Sequence, residues 1–121
     1  AASEMLTAVG IENVQGLYAA DDTMVAGGIA ALEARGVDVE SFYITSIGNT
    51  FLGNPLVKDG LLDGTVFQSS SWDGENAVTG IYRAITGETS LGRDDDASVL
   101  YMPNPKVTID NWDSPEVAPE W

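Results

Sequence analysis

Short apolar, β-branched runs alternate along this chain with segments whose apolar residues recur at helical spacing, and that alternation most narrows the folds open to it. Residues 14–20 form the first run; after Asp21-Asp22, Met24, Val25, Ile29 and Leu32 recur at helical spacing as far as Arg35-Gly36. This predicts strand, turn and helix, with Asp22 capping the helix and Gly36 supplying the left-handed stop. Residues 42–47 (Phe-Tyr-Ile-Thr-Ser-Ile) form a second strand, leading through Gly48-Asn49-Thr50 to a stretch interrupted by Gly53 and Pro55. There we expect a loop and then two helical turns, with Asn54-Pro55 as cap and first position.

A third strand is expected at 64–68, and residues 73–86 read as an amphipathic helix with Ala77, Val78, Ile81, Ala84 and Ile85 inward. Ser71 or Asp73 is its expected cap and Gly87 its stop. Met5, Leu6 and Val9 suit the tail of a helix ended by Gly10. Residues 87–98, with Asp94-Asp95-Asp96, read as a solvated loop; consecutive aspartates alone make a poor metal cage. Val99-Leu100-Tyr101 and Val107-Thr108-Ile109 suit extended segments on either side of Pro103 and Pro105, and the stretch after Asn111 looks irregular. The fold class is therefore α/β, a mostly parallel sheet flanked by helices.

Composition excludes several functions. Nineteen acidic residues against five basic ones give a formal charge of −14, which repels phosphate backbones and anionic headgroups and argues against a nucleic-acid partner. Cysteine and histidine are absent, which removes thiol nucleophiles, disulfides, the commonest zinc ligands and the usual proton shuttle near neutrality. Asp21 and Asp22 are adjacent and point different ways, and no serine stands in a recognisable nucleophile setting. We expect no enzyme, no cofactor and no metal site. No run approaches the length of a membrane span, and Ala1-Ala2-Ser3-Glu4-Met5 lacks the basic-then-apolar order of a secretory signal, so any export signal is expected upstream.

In parallel sheets ligands collect beyond the carboxyl ends of the strands. The three expected strand ends present Asp21, Asn49 and Gln68, short polar groups suited to adjacent hydroxyls, with Trp72 and Tyr43 as apolar surfaces. By spacing alone, each has a plainer use: Asp21 in capping, Asn49 and Gln68 in satisfying turn backbones.

Three segments carry a family resemblance. Residues 16–24 (GLYAADDTM) resemble the strand-turn-helix segment of the ribose- and galactose-type periplasmic binding proteins, and residues 58–68 (KDGLLDGTVFQ) resemble that family's "KDG-L-ATV-Q" segment. Residues 105–111 (PKVTIDN) are similar to its "P-VTKDN" ending. The resemblance implies that residues 1–121 are the carboxy-terminal portion of a type I sugar-binding receptor, a partial lobe of a two-lobe protein that closes on a monosaccharide or polyol and serves an ABC importer. It further implies an extracytoplasmic location, partnership with the importer's membrane subunits, and ligand contacts from Asp21 and Gln68. Where the family often carries Asp after Phe, this chain has Ile47-Gly48-Asn49, so Asn49 follows the usual contact position.

In the family's path the 73–86 helix packs on the opposite lobe, so this portion alone is expected to expose the helix's apolar stripe and to need the remainder of the receptor or to self-associate. Hinge crossings are implied near residues 68–71 and 101–103. One alternative is the effector domain of a lactose-repressor-type regulator, which shares the architecture; residues 63–68 (DGTVFQ) fit the receptors better than the repressors' "LTTV-QP". A response-regulator receiver has a comparable acidic pair, but Phe67-Gln68-Ser69 offers no phosphoacceptor aspartate at the third strand's end.

Overall fold

The computed structural model describes residues 2–87 and 102–121. Helix α1 (Ala2–Val9) leads through a 3₁₀ turn to strand β1 (Gly16–Tyr18), helix α2 (Asp22–Glu33), strand β2 (Tyr43–Thr45), helix α3 (Gly53–Lys58), strand β3 (Thr65–Val66) and helix α4 (Ser70–Thr86). After the undescribed residues come strand β4 (Lys106–Val107) and a 3₁₀ turn at Pro115–Val117. β1 and β2 pair in parallel, with Leu17 opposite Ile44 and Tyr18 opposite Thr45. Parallel bridges Thr45 to Gly64 and Gly48 to Phe67 set β3 on β2's other side. Antiparallel pairing of Thr65 with Val107 and Val66 with Lys106 then adds β4.

α2 shows how the sequence selects its neighbours. Val25, Ile29 and Leu32, spaced one and two turns apart, are buried against Ile44, Val57 and Leu62 in one apolar cluster that Leu6 of α1 also joins. Each such side chain contributes about 1.5–3 kcal/mol when fully buried. Gly28 lets α2 approach β1 closely, because a Cβ there would lie 2.4 Å from Leu17 Cδ2. The helix ends as the sequence predicts, with Gly36 in the left-handed region (φ 72) and its amide donating to the Glu33 carbonyl. A second cluster joins Phe67, Val107 and Val117, with Trp112 packed against both clusters.

The helix starts differ from the sequence reading in instructive ways. Asp21, rather than Asp22, caps α2, its carboxylate accepting from the Thr23 amide at 2.7 Å. Asp22 is fully buried in the first turn instead. α3 follows a loop and is short, as expected, but Thr50 Oγ1 receives the Leu52 and Gly53 amides while Asn54 reaches the Trp112 carbonyl at 2.8 Å. α4 starts at Ser70 because Ser69 Oγ accepts from the Trp72 amide; it stops at Gly87 (φ 81) as predicted. A cap is decided by which nearby side chain reaches the free amides, and several short polar residues competed at each start.

The apolar stripe of α4 is not inward among the described residues. Val78, Ile81 and Ile85 are 69%, 63% and 80% exposed, and no residue of the helix is buried. Spacing defines an apolar face but not its partner, and no described element covers this one. The segment after Asn111 contains an ordered 3₁₀ turn, capped by Ser114, that buries Val117. The acidic run Asp94-Asp95-Asp96 and the extended segment Val99-Leu100-Tyr101 lie outside the described residues.

Candidate functional site

The carboxyl ends of β1, β2 and β3 lie side by side and deliver Asp21, Asn49 and Gln68 in turn. Adjacent strands are about 4.8 Å apart, so the outer two ends stand roughly 10 Å from each other.

Asp21 is half-buried; its Oδ1 accepts from the amide and hydroxyl of Thr23, whereas Oδ2 has no partner among the described residues. The capping use and a ligand-facing use therefore coexist on one carboxylate. Gln68 is also half-buried. Its amide donates to the Gly48 carbonyl at 3.1 Å and its carbonyl accepts from Trp121 Nε1 at 3.1 Å, while its carboxamide has no partner among the described residues. Both backbone groups are fixed and the functional group is uncommitted.

Asn49 is turned the other way. It is fully buried in a left-handed conformation (φ 51), its Nδ2 donates to the Val117 carbonyl and its Oδ1 accepts from Asn54 at 3.3 Å. Both ends of its amide are used inside the fold, so the expectation that Asn49 faces a ligand gives way to a scaffold role. Tyr43 is corrected as well: opposite Gly16 at the start of β2, it lies at the far end of the strands from Asp21. Trp72 is half-buried in the first turn of α4, near Gln68 in sequence.

Beneath the strand ends lies a polar centre that spacing did not reveal. The Asp22 carboxylate accepts from Thr50 N at 2.7 Å, from Thr65 Oγ1 at 3.1 Å and from Ser46 Oγ. No cationic side chain pairs with it among the described residues; the carboxylate lies against Gly53 in the first turn of α3, the end of a helix whose dipole favours an acceptor group. One buried side chain thus ties the start of α2 to the end of β2, the start of β3 and the loop before α3. Nothing in the pair Asp21-Asp22 said which carboxylate would turn inward.

The second missed group is Glu120. Its carboxylate accepts from Ser71 N at 2.8 Å, from Ser69 Oγ at 2.9 Å and from Ser70 Oγ at 3.2 Å. The Ser71 amide chiefly, with the serine hydroxyls, holds its carboxyl below the usual range against a smaller opposing effect of burial. Among the described residues there is no cluster of acidic side chains that could hold a metal ion.

No family model and no curated protein matches the sequence. Solved structures do. An ABC-transporter solute-binding protein from Agrobacterium vitis with bound D-fucose superposes with TM-score 0.75 at 22% identity, over 96% of this chain and 37% of its own. A second from the same organism, bound with α-D-tagatopyranose, gives TM-score 0.77 at 19% identity, again over 96% and 37%. One from Bacillus halodurans with bound myo-inositol gives 0.70 at 27% identity, over 92% and 35%. The chain has the type I periplasmic-binding-protein fold, in partial form. It spans little more than a third of each of these neighbours. Within this lobe, the parallel order β1-β2-β3 places Asp21 and Gln68 at the carboxyl edge, where such sheets receive ligands.

Proposed function

We propose that the chain forms part of the carboxy-terminal lobe of an extracytoplasmic solute-binding protein, one that captures a monosaccharide or related polyol and delivers it to an ABC importer. The observation that carries this reading is the pair of uncommitted polar groups, Asp21 Oδ2 and the Gln68 carboxamide, at the carboxyl ends of β1 and β3 in a sugar-receptor fold. An ionised carboxylate oxygen accepts strongly from a hydroxyl, and a carboxamide both accepts and donates, so the two groups can each pair with a hydroxyl on separate parts of one polyol. The function is binding rather than catalysis. No observation favours the regulator alternative.

The apolar stripe of α4 docks on the remainder of the receptor, and residues 68–71 form one of the crossings between lobes. Sugar favours closure because only the closed form contacts it from both sides. Released from the remainder, the stripe drives self-association. The reading is tested on the full-length receptor by thermal melting with D-fucose, D-tagatose, myo-inositol and a wider panel of pentoses and hexoses. A ligand at a hundredfold its dissociation constant stabilises by about 2.7 kcal/mol, an easily read rise in melting temperature. A rise with one sugar is expected; unchanged melting across the panel would point to a different class of ligand.

A further inference from the structure

The residues that hold Gln68 come from far along the chain. Residues 118–121 lie as a strap over the carboxyl ends of β2 and β3: the Trp121 carbonyl accepts from Phe51 N at 2.6 Å, and the indole Nε1 donates to the Gln68 carbonyl at 3.1 Å. Next to it, the Glu120 carboxylate takes the Ser71 amide and the hydroxyls of Ser69 and Ser70. Four consecutive residues, 68–71, are therefore each bonded by one side chain or the other of a two-residue unit. Ser69 Oγ, which donates to Glu120, also accepts from the Trp72 amide, so the strap and the start of α4 share a hydroxyl.

We propose that Glu120 and Trp121 are positioning residues of the ligand site, a clasp that fixes the β3-to-α4 crossing and so sets where the Gln68 carboxamide points. This rests on the reading of Gln68 as a ligand contact. The physical case is one of freedom removed. Gln68 is tied on its amide side by the Gly48 carbonyl, within the sheet, but on its carbonyl side by Trp121 alone among the described residues. Without the strap, the Gln68 carbonyl, the Ser70 hydroxyl and the Ser71 amide lose their fixed partners while the Gln68 amide bond and the Ser69 cap remain, and a side chain whose backbone can rotate must be ordered again when ligand binds. The Glu120 charge matters in its own right, because a carboxylate at the first amides of a seventeen-residue helix is favoured by charge and dipole together. A glutamine in its place keeps an acceptor but loses the charge.

The test uses the full-length receptor and reads two quantities on Glu120→Gln, Glu120→Ala and Trp121→Phe. One is hydrogen exchange at the Ser71 and Trp72 amides; the other is calorimetric affinity for D-fucose, D-tagatose and myo-inositol. Glu120→Ala is expected to speed exchange at Ser71 and weaken the tightest of these sugars roughly three- to tenfold, with Glu120→Gln intermediate, consistent with loss of a charge-assisted bond. Trp121→Phe, which keeps an aromatic ring but not the indole N–H, is expected to weaken binding with little change in melting temperature. Faster exchange with unchanged affinity would overturn the positioning role, and unchanged exchange in Glu120→Ala would overturn the clasp itself. If the wild-type receptor binds none of the three sugars, the sugar reading and the positioning of a sugar contact both fall, while exchange still decides whether the clasp exists.

Discussion

The buried Asp22 carboxylate and the glycine against it make a sharp prediction. A Cβ built on Gly53 would lie 2.0 Å from Asp22 Oδ2 and 2.2 Å from Cγ, well inside van der Waals contact. The carboxylate cannot swing aside without abandoning Ser46 Oγ, Thr50 N and Thr65 Oγ1. Gly53→Ala alone is therefore expected to destabilise by about 3 kcal/mol, the scale of overpacking plus a disrupted buried network. Asp22→Ala alone strands those three donors; Ser46 and Thr65, whose hydroxyls are 3.1 Å apart, can satisfy each other in part, leaving a cost of about 3–4 kcal/mol. In the double variant the alanine methyl enters space the carboxylate has left, at a helical position where Ala is favoured over Gly. The second substitution should then cost nothing further and return up to about 1 kcal/mol. Urea unfolding followed by circular dichroism measures the cycle, with an expected coupling above about 2 kcal/mol. Effects that add within about 0.5 kcal/mol would refute the placement of the carboxylate against Gly53.

Three further outcomes follow from the same geometry. Asn49→Ala removes the bond to the Val117 carbonyl and leaves a Cβ residue at positive φ, so it should lower stability by about 2–3 kcal/mol in thermal melts. Because the Glu120 pKa is depressed in the folded chain, its contribution is complete above the unfolded carboxylate value and lost as pH falls through the lower folded value; an NMR titration should find the Ser71 amide shift moving with a midpoint below that of an ordinary glutamate. Replacing Ile81 and Ile85 by serine should suppress self-association of the 121-residue chain in analytical ultracentrifugation, with less than about 0.5 kcal/mol lost, since both side chains are already exposed.

What the sequence made legible was what repeats. Alternating runs located β1, α2, β2, β3 and α4 within a few residues, because burying an apolar face against a neighbour imposes that spacing. The glycine stops at 36 and 87 were readable for a local reason, the left-handed backbone they adopt. The sequence left the α2 cap open between Asp21 and Asp22 and pointed to Ser71 or Asp73 rather than Ser69 for α4, because such neighbours are chemically near-equivalent and the choice is made by strand register some twenty or more residues away, as in the bond from Ser46 to Asp22. At the candidate site, Asp21 and Gln68 fall where strand ends were expected. Asn49 does not face out because its partners, Val117 and Asn54, belong to segments with no periodicity to announce them. Glu120 and Trp121 were invisible for the same reason: a contact spanning some fifty residues through an irregular segment leaves no pattern in the chain.

In the proposed receptor, Asp21 and Gln68 present one side of a sugar site while Asn49 braces it from beneath. Calorimetric titration of the full-length receptor, its Asp21→Ala and Gln68→Ala variants, and Asn49→Ala at a temperature where it is folded tests this most directly. One sugar should bind the wild type with its affinity weakened by about tenfold or more in each of the first two variants, as for the loss of a hydrogen bond to a ligand, and no direct loss of binding enthalpy in the third. A sugar that binds with unchanged affinity when both Asp21 and Gln68 are truncated would contradict it.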